Sequence, residues 1–242
     1  MGWTRPLSPP RVWRNLELKN SDGKLLQFSI EDIPKDRFVE VLEHMTTLFA
    51  NEEAMFSSIK ISEDPDSLAL LKGLWSMSLE QGMSIGAFEK NNTGEQSKLA
   101  GLNILIVVDD EFDKKFKSQD ISKLKAKNFF EFSFTFSAEG DPRTIFNVDL
   151  YLTALGLSVH PNYRGLGLGK HLLEIRNDIG REYNISYTST FFTSIVSQKI
   201  AASVGFEVYL DRAYDDIIDE NGKKIFPSLT GKRIKIMIKK LI

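Results

Sequence analysis

The stretch LGLSVHPNYRGLGLGKHL (residues 155–172) places four glycines among apolar residues, with one arginine directly before three of them. The apolar residues up to Val159 are typical of a buried strand, and those from Leu168 onward recur at helical spacing. A glycine-rich turn between a strand and a helix gathers the unpaired N–H groups of the helix start in one place. The stretch therefore predicts a strand–loop–helix unit whose loop binds a phosphate-bearing ligand.

Two common phosphate-binding patterns do not fit this loop. A P-loop needs a glycine five residues before its Gly-Lys-Ser/Thr, but Arg164 holds that position and His171 stands where the hydroxyl residue belongs. The dinucleotide fingerprint G-x-G-x-x-G fails because its third glycine falls on Lys170. What fits is Arg-x-x-Gly-x-Gly, formed by Arg164, Gly167 and Gly169.

This pattern resembles the coenzyme A diphosphate loop of the GNAT superfamily of N-acetyltransferases. The resemblance implies an α/β fold with a mixed central sheet of about seven strands flanked by helices. It also implies that acetyl-CoA binds as a co-substrate at a splayed central strand pair. The alternative is a strand–turn–helix whose glycines serve packing alone. The residues that the resemblance assigns to coenzyme binding are Leu157, Ser158, Val159, Arg164, Gly165, Leu166, Gly167, Leu168, Gly169, Lys170 and Ser194.

A second segment narrows the resemblance to one group within the GNAT superfamily. Many GNAT proteins carry an Asn and a Tyr in the helix after the next strand, and by position these fall on Ser194 and Ala201. Alanine cannot donate a proton to the leaving thiolate. Insect arylalkylamine N-acetyltransferases instead carry Ser/Thr-Ser-x-x-Ser, which matches TSIVS at residues 193–197. This resemblance implies that Ser197 is the proton donor, helped by Thr193; the alternative is that Ser197 only caps the helix.

The stretch FANEEAM (residues 49–55) is similar to the Phe-x-x-Asp-Glu-Pro-Leu motif of the same insect group, whose glutamate is the proposed base. Counting from Phe49 places the base at Glu53, and a slip of one residue would select Glu52. The alternative is an exposed acidic pair at a helix end.

The resemblance implies transfer of acetyl from acetyl-CoA to a small primary amine, such as dopamine, tyramine, octopamine or serotonin. A pocket lined by aromatic rings, to which residues 129–136 could contribute, would favour such arylalkylamines. A pocket lined by carboxylates would favour an aliphatic amine or a polyamine such as agmatine. Because Ala201 departs from the usual pattern, a non-catalytic acyl-CoA-binding module is a further alternative.

Composition limits the other possibilities. The chain has 242 residues, of which 42% are hydrophobic and 26% charged, with a net charge of -2, so we expect no nucleic-acid or membrane partner. It has no cysteine, and its three histidines are far apart in sequence, so we expect no metal. We expect His44 on a polar helix face, apart from His160 and His171. The opening residues lack the apolar core of a secretory signal, and we expect a cytoplasmic monomer or weak dimer.

The remaining pattern predicts a single domain over residues 1–242. It begins with an N-terminal arm (1–24), irregular over residues 1–15, and contains a charged insert (109–128) that we expect to be helical. Pro65 to Gln81 reads as a helix ended by Gly82. Residues 84–88 and 99–108 read as a hairpin joined by the polar turn EKNNTGEQSK.

Overall fold

The computed structural model describes residues 2–90 and 97–242, apart from the side chain of Lys117. Its strands are β1 (Val12–Lys19), β2 (Leu25–Asp32), β3 (Ile85–Glu89), β4 (Lys98–Val108), β5 (Tyr151–Val159), β6 (Tyr187–Phe192), β7 (Glu207–Ala213) and β8 (Arg233–Lys240). They form one sheet in the order β1-β2-β3-β4-β5-β6-β8-β7. Only β5 and β6 pair in parallel within this sheet of described residues; the other pairs are antiparallel.

Helices cover both faces of this sheet. They are α1 (Phe38–His44), α2 (Ala50–Glu52), α3 (Ala54–Ile59), α4 (Pro65–Gln81), α5 (Asp110–Lys117), α6 (Lys127–Glu139), α7 (Pro142–Phe146), α8 (Leu168–Tyr183) and α9 (Ile195–Ser203). The largest core cluster joins α1, α3, α4 and α6 to one face of the sheet. A second cluster packs the apolar side of α8 against the other face. The predicted α/β class with a mixed sheet is confirmed.

The predicted helix Pro65–Gln81 is observed with those bounds. Proline is suited to the first helical turn, where its missing N–H would have no partner in the helix. Gly82 ends the helix with φ of 79°, a left-handed conformation that glycine adopts without a Cβ clash. Here local sequence chemistry is sufficient to place both ends of the element.

The sheet opens between β5 and β6. The two strands are in register at a single described pair, Leu152 with Thr188, near their beginnings. Beyond that pair β6 is hydrogen-bonded to β8 along its length, whereas β5 continues beside β4 as far as Val159. We call the gap between the diverging strands the splay. It leaves one edge of β5 without a neighbouring strand, immediately before the glycine-rich stretch.

The prediction of an irregular N-terminal arm is wrong for residues 12–15, and the arm as a whole contains a strand. β1 pairs with β2 antiparallel from Val12 to Lys19, which makes the sheet eight-stranded rather than about seven. Charged residues alternate with apolar ones in β1, and most of the strand is half-buried or exposed. Its structure depends on the long-range pairing with β2, for which a short, polar sequence gives little local signal.

One further boundary differs from the predictions. The helix expected through the charged insert ends at Lys117, and turns precede α6. The predicted strand that ends at Val159 begins at Tyr151, after α7. The hairpin of β3 and β4 is confirmed by their antiparallel pairing, but residues 91–96 of its predicted turn lie outside the described residues.

Candidate active site

The glycine loop (residues 164–170) joins β5 to α8. Gly165 and Gly167 have φ of +82° and +80°, a left-handed backbone that side-chain-bearing residues rarely adopt. A Cβ built on either glycine would meet no described heavy atom within 4 Å. Glycine at these two positions therefore opens space beside the backbone rather than allowing close packing. At Gly169, in contrast, a Cβ would make an ordinary contact of 3.7 Å with Leu157.

The amides of this loop surround the start of α8. The N–H groups of Lys170 and His171 both donate to the Gly167 carbonyl, at 3.0 and 3.2 Å. The amide of Lys170 is thus engaged in starting the helix, and the amides before it are better placed to meet a ligand. They lie at the positive end of the α8 dipole. Open space and a positive helix end fit the diphosphate of coenzyme A.

Arg164 lies between β5 and the acidic pair. Its Nε donates to the Val159 carbonyl at 3.0 Å, and its Nη2 forms an ion pair with Glu52. Both charged side chains are about half-exposed. The structure therefore places Glu52 at the glycine loop and leaves it outside the cavity described below.

The free edge of β5 carries backbone groups that face the splay. The N–H of His160 donates to the Ala100 carbonyl of β4 at 2.9 Å. Because backbone N–H groups alternate in direction along a strand, those of Val159 and Leu157 point away from β4. This edge can bind the amide groups of an extended ligand, and it is where the resemblance places the coenzyme arm.

His44 contradicts its predicted place on a polar helix face. It is buried, its Nε2 lies 2.8 Å from the Ser158 hydroxyl, and its ring centroid lies 6.3 Å from that of His160. Burial, followed by the neighbouring His160, lowers the pKa of His44 to about 4. The expectation that the three histidines lie apart is thus wrong for two of them, because α1 packs across the end of β5. His44 is neutral at pH 7 and orients Ser158.

Glu53 occupies the break between α2 and α3. Its backbone is extended, with ψ of 135°, and its Oε2 accepts the Phe56 amide at 2.9 Å as the cap of α3. Its Oε1 is buried without a hydrogen bond at normal geometry among the described residues. Burial raises the pKa of Glu53, although Thr193 and the Phe56 amide favour the ionised form. A buried carboxylate with a free oxygen and a raised pKa is suited to accepting a proton.

Thr193 and Tyr214 complete the surroundings of Glu53. The Tyr214 hydroxyl donates to the Thr193 carbonyl at 3.1 Å. Burial and the nearby Glu53 charge raise the pKa of Tyr214, so its hydroxyl stays protonated. Sequence reasoning missed Tyr214, because it follows β7 in a segment without a recognisable motif.

Ser194 and Ser197 form a capping box at the start of α9. The Ser197 amide donates to the Ser194 hydroxyl at 3.2 Å, and the Ser194 amide donates to the Ser197 hydroxyl at 3.3 Å. The Ser197 hydroxyl itself donates to the Ser194 carbonyl at 2.9 Å. Ser197 also lines the central cavity. It therefore serves as a helix cap and is positioned to meet a ligand.

A cavity of about 240 Å³ is lined by Glu53, Thr193 and Ser197. It extends from the splay, at Leu157 and Ser197, past Glu53 and Thr193 to the face covered by α4, α5 and α6. Aromatic rings form much of its wall: Phe49, Phe56, Trp75, Phe112, Phe116, Phe129, Phe130, Tyr151, Phe191 and Phe192. Glu53 and Asp113 are its carboxylates among the described residues. From residues 129–136, Phe129 and Phe130 line the cavity, and Phe136 is core.

No protein-family model matches this sequence, and neither does any curated protein. Solved structures do match. The protein designated arylalkylamine N-acetyltransferase 7 of the yellow fever mosquito Aedes aegypti superposes with a TM-score of 0.85 at 27% identity, over 100% of both chains. The chain has the GNAT fold.

Two further solved structures share this GNAT fold. Arylalkylamine N-acetyltransferase 2 of Aedes aegypti matches 89% of this chain and 99% of its own, with a TM-score of 0.76 and 24% identity. The polyamine N-acetyltransferase of Drosophila melanogaster, which forms N-acetylagmatine, matches 88% and 99%, with a TM-score of 0.69 and 14% identity. The predicted resemblance to insect arylalkylamine N-acetyltransferases is confirmed.

The described part of the chain contains neither a membrane-spanning helix nor a cluster of metal ligands. None of its helices combines the length and hydropathy needed to cross a bilayer. Within the same residues, no three His, Asp or Glu side chains are grouped so that they could hold a metal ion.

Proposed function

We propose that this protein is an acetyl-CoA-dependent N-acetyltransferase whose acceptor is a small arylalkylamine. The observation that carries the proposal is the shared cavity: the half-buried Glu53, whose Oε1 is shielded from solvent, faces an aromatic chamber that opens onto the free edge of β5. The glycine loop follows that edge directly, so one ligand can contact both. The similarity to insect N-acetyltransferases supports the same activity.

Glu53 is proposed as the base. A primary alkylamine with a pKa near 10 is neutral in about one molecule in a thousand at pH 7, a handicap of roughly 4 kcal/mol. A carboxylate in the chamber, directly or through water, can take the ammonium proton. The Phe56 amide holds this carboxylate in place, and the Thr193 side chain favours its ionised form. Because burial raises its pKa, Glu53 accepts a proton more readily than an exposed glutamate.

The other proposed roles belong to the splay and to α9. The coenzyme would supply the thioester that the amine attacks. The Val159 N–H, directed away from β4, is proposed to stabilise the negative charge that forms on the carbonyl oxygen. Ser197, supported by Thr193, is proposed to protonate the leaving sulfur. Its hydroxyl would exchange its present bond to the Ser194 carbonyl for that acceptor.

The coenzyme site is proposed to comprise the edge of β5 (residues 157–159), the glycine loop and Ser194. Arg164 and the loop amides would hold the diphosphate. In this arrangement Arg164 is also paired with Glu52, so diphosphate and carboxylate compete for one guanidinium. Glu52 is accordingly proposed to tune coenzyme affinity, and the base is Glu53.

A polyamine or aliphatic amine is the second candidate acceptor. The similarity to the Drosophila enzyme and the position of Asp113 in the cavity favour it. The aromatic wall favours the arylalkylamine, because a flat ring buries more apolar area there than a polar cation chain does.

A thiol-release assay with acetyl-CoA tests the proposal. Tyramine, dopamine and serotonin are compared with agmatine and spermidine, with the amine-free reaction as the blank. We expect kcat/KM to be highest for an aromatic amine. A higher value for agmatine or spermidine would establish the second candidate. Calorimetric binding of acetyl-CoA without turnover of any amine would indicate a non-catalytic acyl-CoA-binding module.

A further inference from the structure

One cation in the core has no acidic partner. Arg176 on α8 is 1% exposed, and among the described residues no Asp or Glu side chain pairs with it. Its Nη1 donates to the hydroxyls of Thr188 and Thr190, at 3.1 and 2.8 Å, and its Nη2 donates to the Asn103 amide oxygen at 3.1 Å. Burial lowers the pKa of Arg176 to about 9, so it remains charged at pH 7.

Two N–H donor atoms at this cation lack hydrogen-bond partners among the described residues. An arginine has five N–H groups, and the Nε of Arg176 is buried without a hydrogen-bond partner in the described residues. The same holds for Nδ2 of Asn103, a side chain that is 0% exposed. A buried charge is costly unless it is paired. A positive charge beside two N–H donors that lack acceptors is complementary to an anion with more than one acceptor oxygen.

Arg176 lies at the closed end of the splay. Thr188, which it contacts, belongs to the single residue pair that joins β5 to β6. Asn103 is on β4 and Thr190 on β6, so the guanidinium bridges the strands on either side of β5. It also lines the cavity that contains Glu53 and Ser197. A ligand group that enters the splay from the glycine loop and continues inward meets this side chain.

We propose that Arg176 and Asn103 form a carboxylate-binding site, and that the enzyme accepts acyl thioesters whose acyl chain ends in a carboxylate. The inference rests on the proposed function, since the thioester must lie in the splay. The Arg176 fork would bind the carboxylate oxygens, with Asn103 Nδ2 as an additional donor. This ligand supplies the counter-ion that the described residues do not.

The proposed transfer follows the same bond changes as acetylation. The amine nitrogen bonds to the thioester carbonyl carbon, and the carbon–sulfur bond breaks with its electron pair on sulfur. Glu53 takes one proton from the ammonium group before attack, Ser197 protonates the thiolate to give free coenzyme A, and the second proton that nitrogen loses as the amide forms restores the serine hydroxyl. The distal carboxylate stays bound to Arg176 and takes no part, so the product is an amide that retains one free carboxylate.

Calorimetry with succinyl-CoA and butyryl-CoA tests the site, because these thioesters have equally long acyl chains and differ in the terminal carboxylate. We expect the unmodified protein to bind succinyl-CoA at least tenfold more tightly than butyryl-CoA. The Asn103→Asp substitution places a carboxylate beside Arg176 at nearly constant volume. It should abolish the preference while changing acetyl-CoA affinity less than threefold. Arg176→Met should do the same, with thermal unfolding as the check on its fold.

Asn221→Asp, which adds the same charge in an exposed turn, is the control and should keep the preference. Equal or tighter binding of butyryl-CoA by the unmodified protein would overturn the inference, even if acetyl-CoA is turned over normally. A rise in the unfolding temperature with sodium formate that disappears in Asn103→Asp, without a preference for succinyl-CoA, would assign the site to a free anion and would also overturn it. Failure of all three thioesters to bind would overturn the proposed function itself.

Discussion

Two adjacent glutamates in this chain have different environments although their side chains are identical. Glu52 ends α2 at the surface and pairs with Arg164, whereas Glu53 turns inward as the cap of α3. The change in backbone direction at Glu53, with ψ of 135°, sends the two carboxylates to opposite sides. Glu52 consequently faces the glycine loop, and Glu53 faces the aromatic chamber.

Glu53→Gln should move activity and stability in opposite directions. The folded-state pKa of Glu53 lies above its ordinary value, so its contribution to stability is present at low pH and is lost as pH rises through that pKa. Glutamine removes the buried charge, and the variant should unfold at a higher temperature than the unmodified protein at pH 8 but not at pH 4. Loss of the base should lower kcat/KM about a hundredfold or more.

The measurements for Glu53→Gln are thermal unfolding at both pH values and a pH–rate profile for amine acetylation. The unmodified protein should lose kcat/KM as pH falls through the raised pKa, and the variant should lack that limb. Glu43→Gln, an exposed substitution, serves as the control. An unchanged rate profile for Glu53→Gln would remove Glu53 from the mechanism.

Glu52→Gln should tighten coenzyme binding. The ion pair with Arg164 is half-exposed, so its contribution is at most about 1 kcal/mol. Releasing Arg164 for the diphosphate should therefore lower the Kd for coenzyme A by up to about fivefold, as measured by calorimetry at low ionic strength. An unchanged or higher Kd would show that Arg164 does not bind the diphosphate.

At the scale of elements, the glycine loop combines two properties in a short segment. Its left-handed glycines direct the backbone into the first turn of α8, and the positive end of that helix then faces the space that the missing Cβ atoms leave open. Gly169 has a different role, since a Cβ there would contact Leu157. One motif therefore contains two glycines beside open space and one glycine in a packed position.

Gly167→Ala should weaken coenzyme A binding more than tenfold, while the free energy of unfolding falls only by the strain of the added Cβ. The added methyl group enters open space, but it strains a backbone with φ of +80° by about 1–2 kcal/mol and obstructs the proposed diphosphate position. Gly222→Ala is a matched control, because Gly222 has φ of +75° and also meets no described heavy atom within 4 Å. Calorimetry and thermal unfolding compare the two variants. Equal loss of affinity in both would attribute the effect to strain alone.

At the scale of the whole molecule, the splay connects two core clusters that lie on opposite faces of the sheet. The aromatic chamber is on the face of α4 and α6, and α8 covers the other face. A coenzyme in the splay would contact both, so its binding should stabilise the entire domain rather than one loop.

Coenzyme A should raise the unfolding temperature of the full chain. At a free concentration one hundred times Kd, the expected stabilisation is about 2.7 kcal/mol. For a domain of this size that corresponds to about 5–10 °C. Differential scanning calorimetry with and without coenzyme A measures the shift. Adenosine diphosphate, which lacks the pantetheine arm, is compared at the same free concentration. An equal shift with adenosine diphosphate would argue against contact along the splay.

Sequence alone determined those helices, strands and loops whose ends are marked by residues within the segment itself. Pro65 and Gly82 delimit α4, and the Arg-x-x-Gly-x-Gly spacing predicted the turn before α8 and, through the resemblance it carries, the fold. The same local reasoning could not separate Glu52 from Glu53, because their exposure depends on how α2 and α3 pack.

Only the tertiary structure decided which distant residues meet. Strand β1 depends on its pairing with β2, and His44 reaches Ser158 only because α1 crosses the end of β5. That Arg176 has no acidic partner among the described residues is likewise visible only in the folded chain, where its guanidinium joins β4 to β6. Burial and the pKa shifts that follow from it depend on how distant segments pack together. The sequence pattern of a single segment therefore does not predict them.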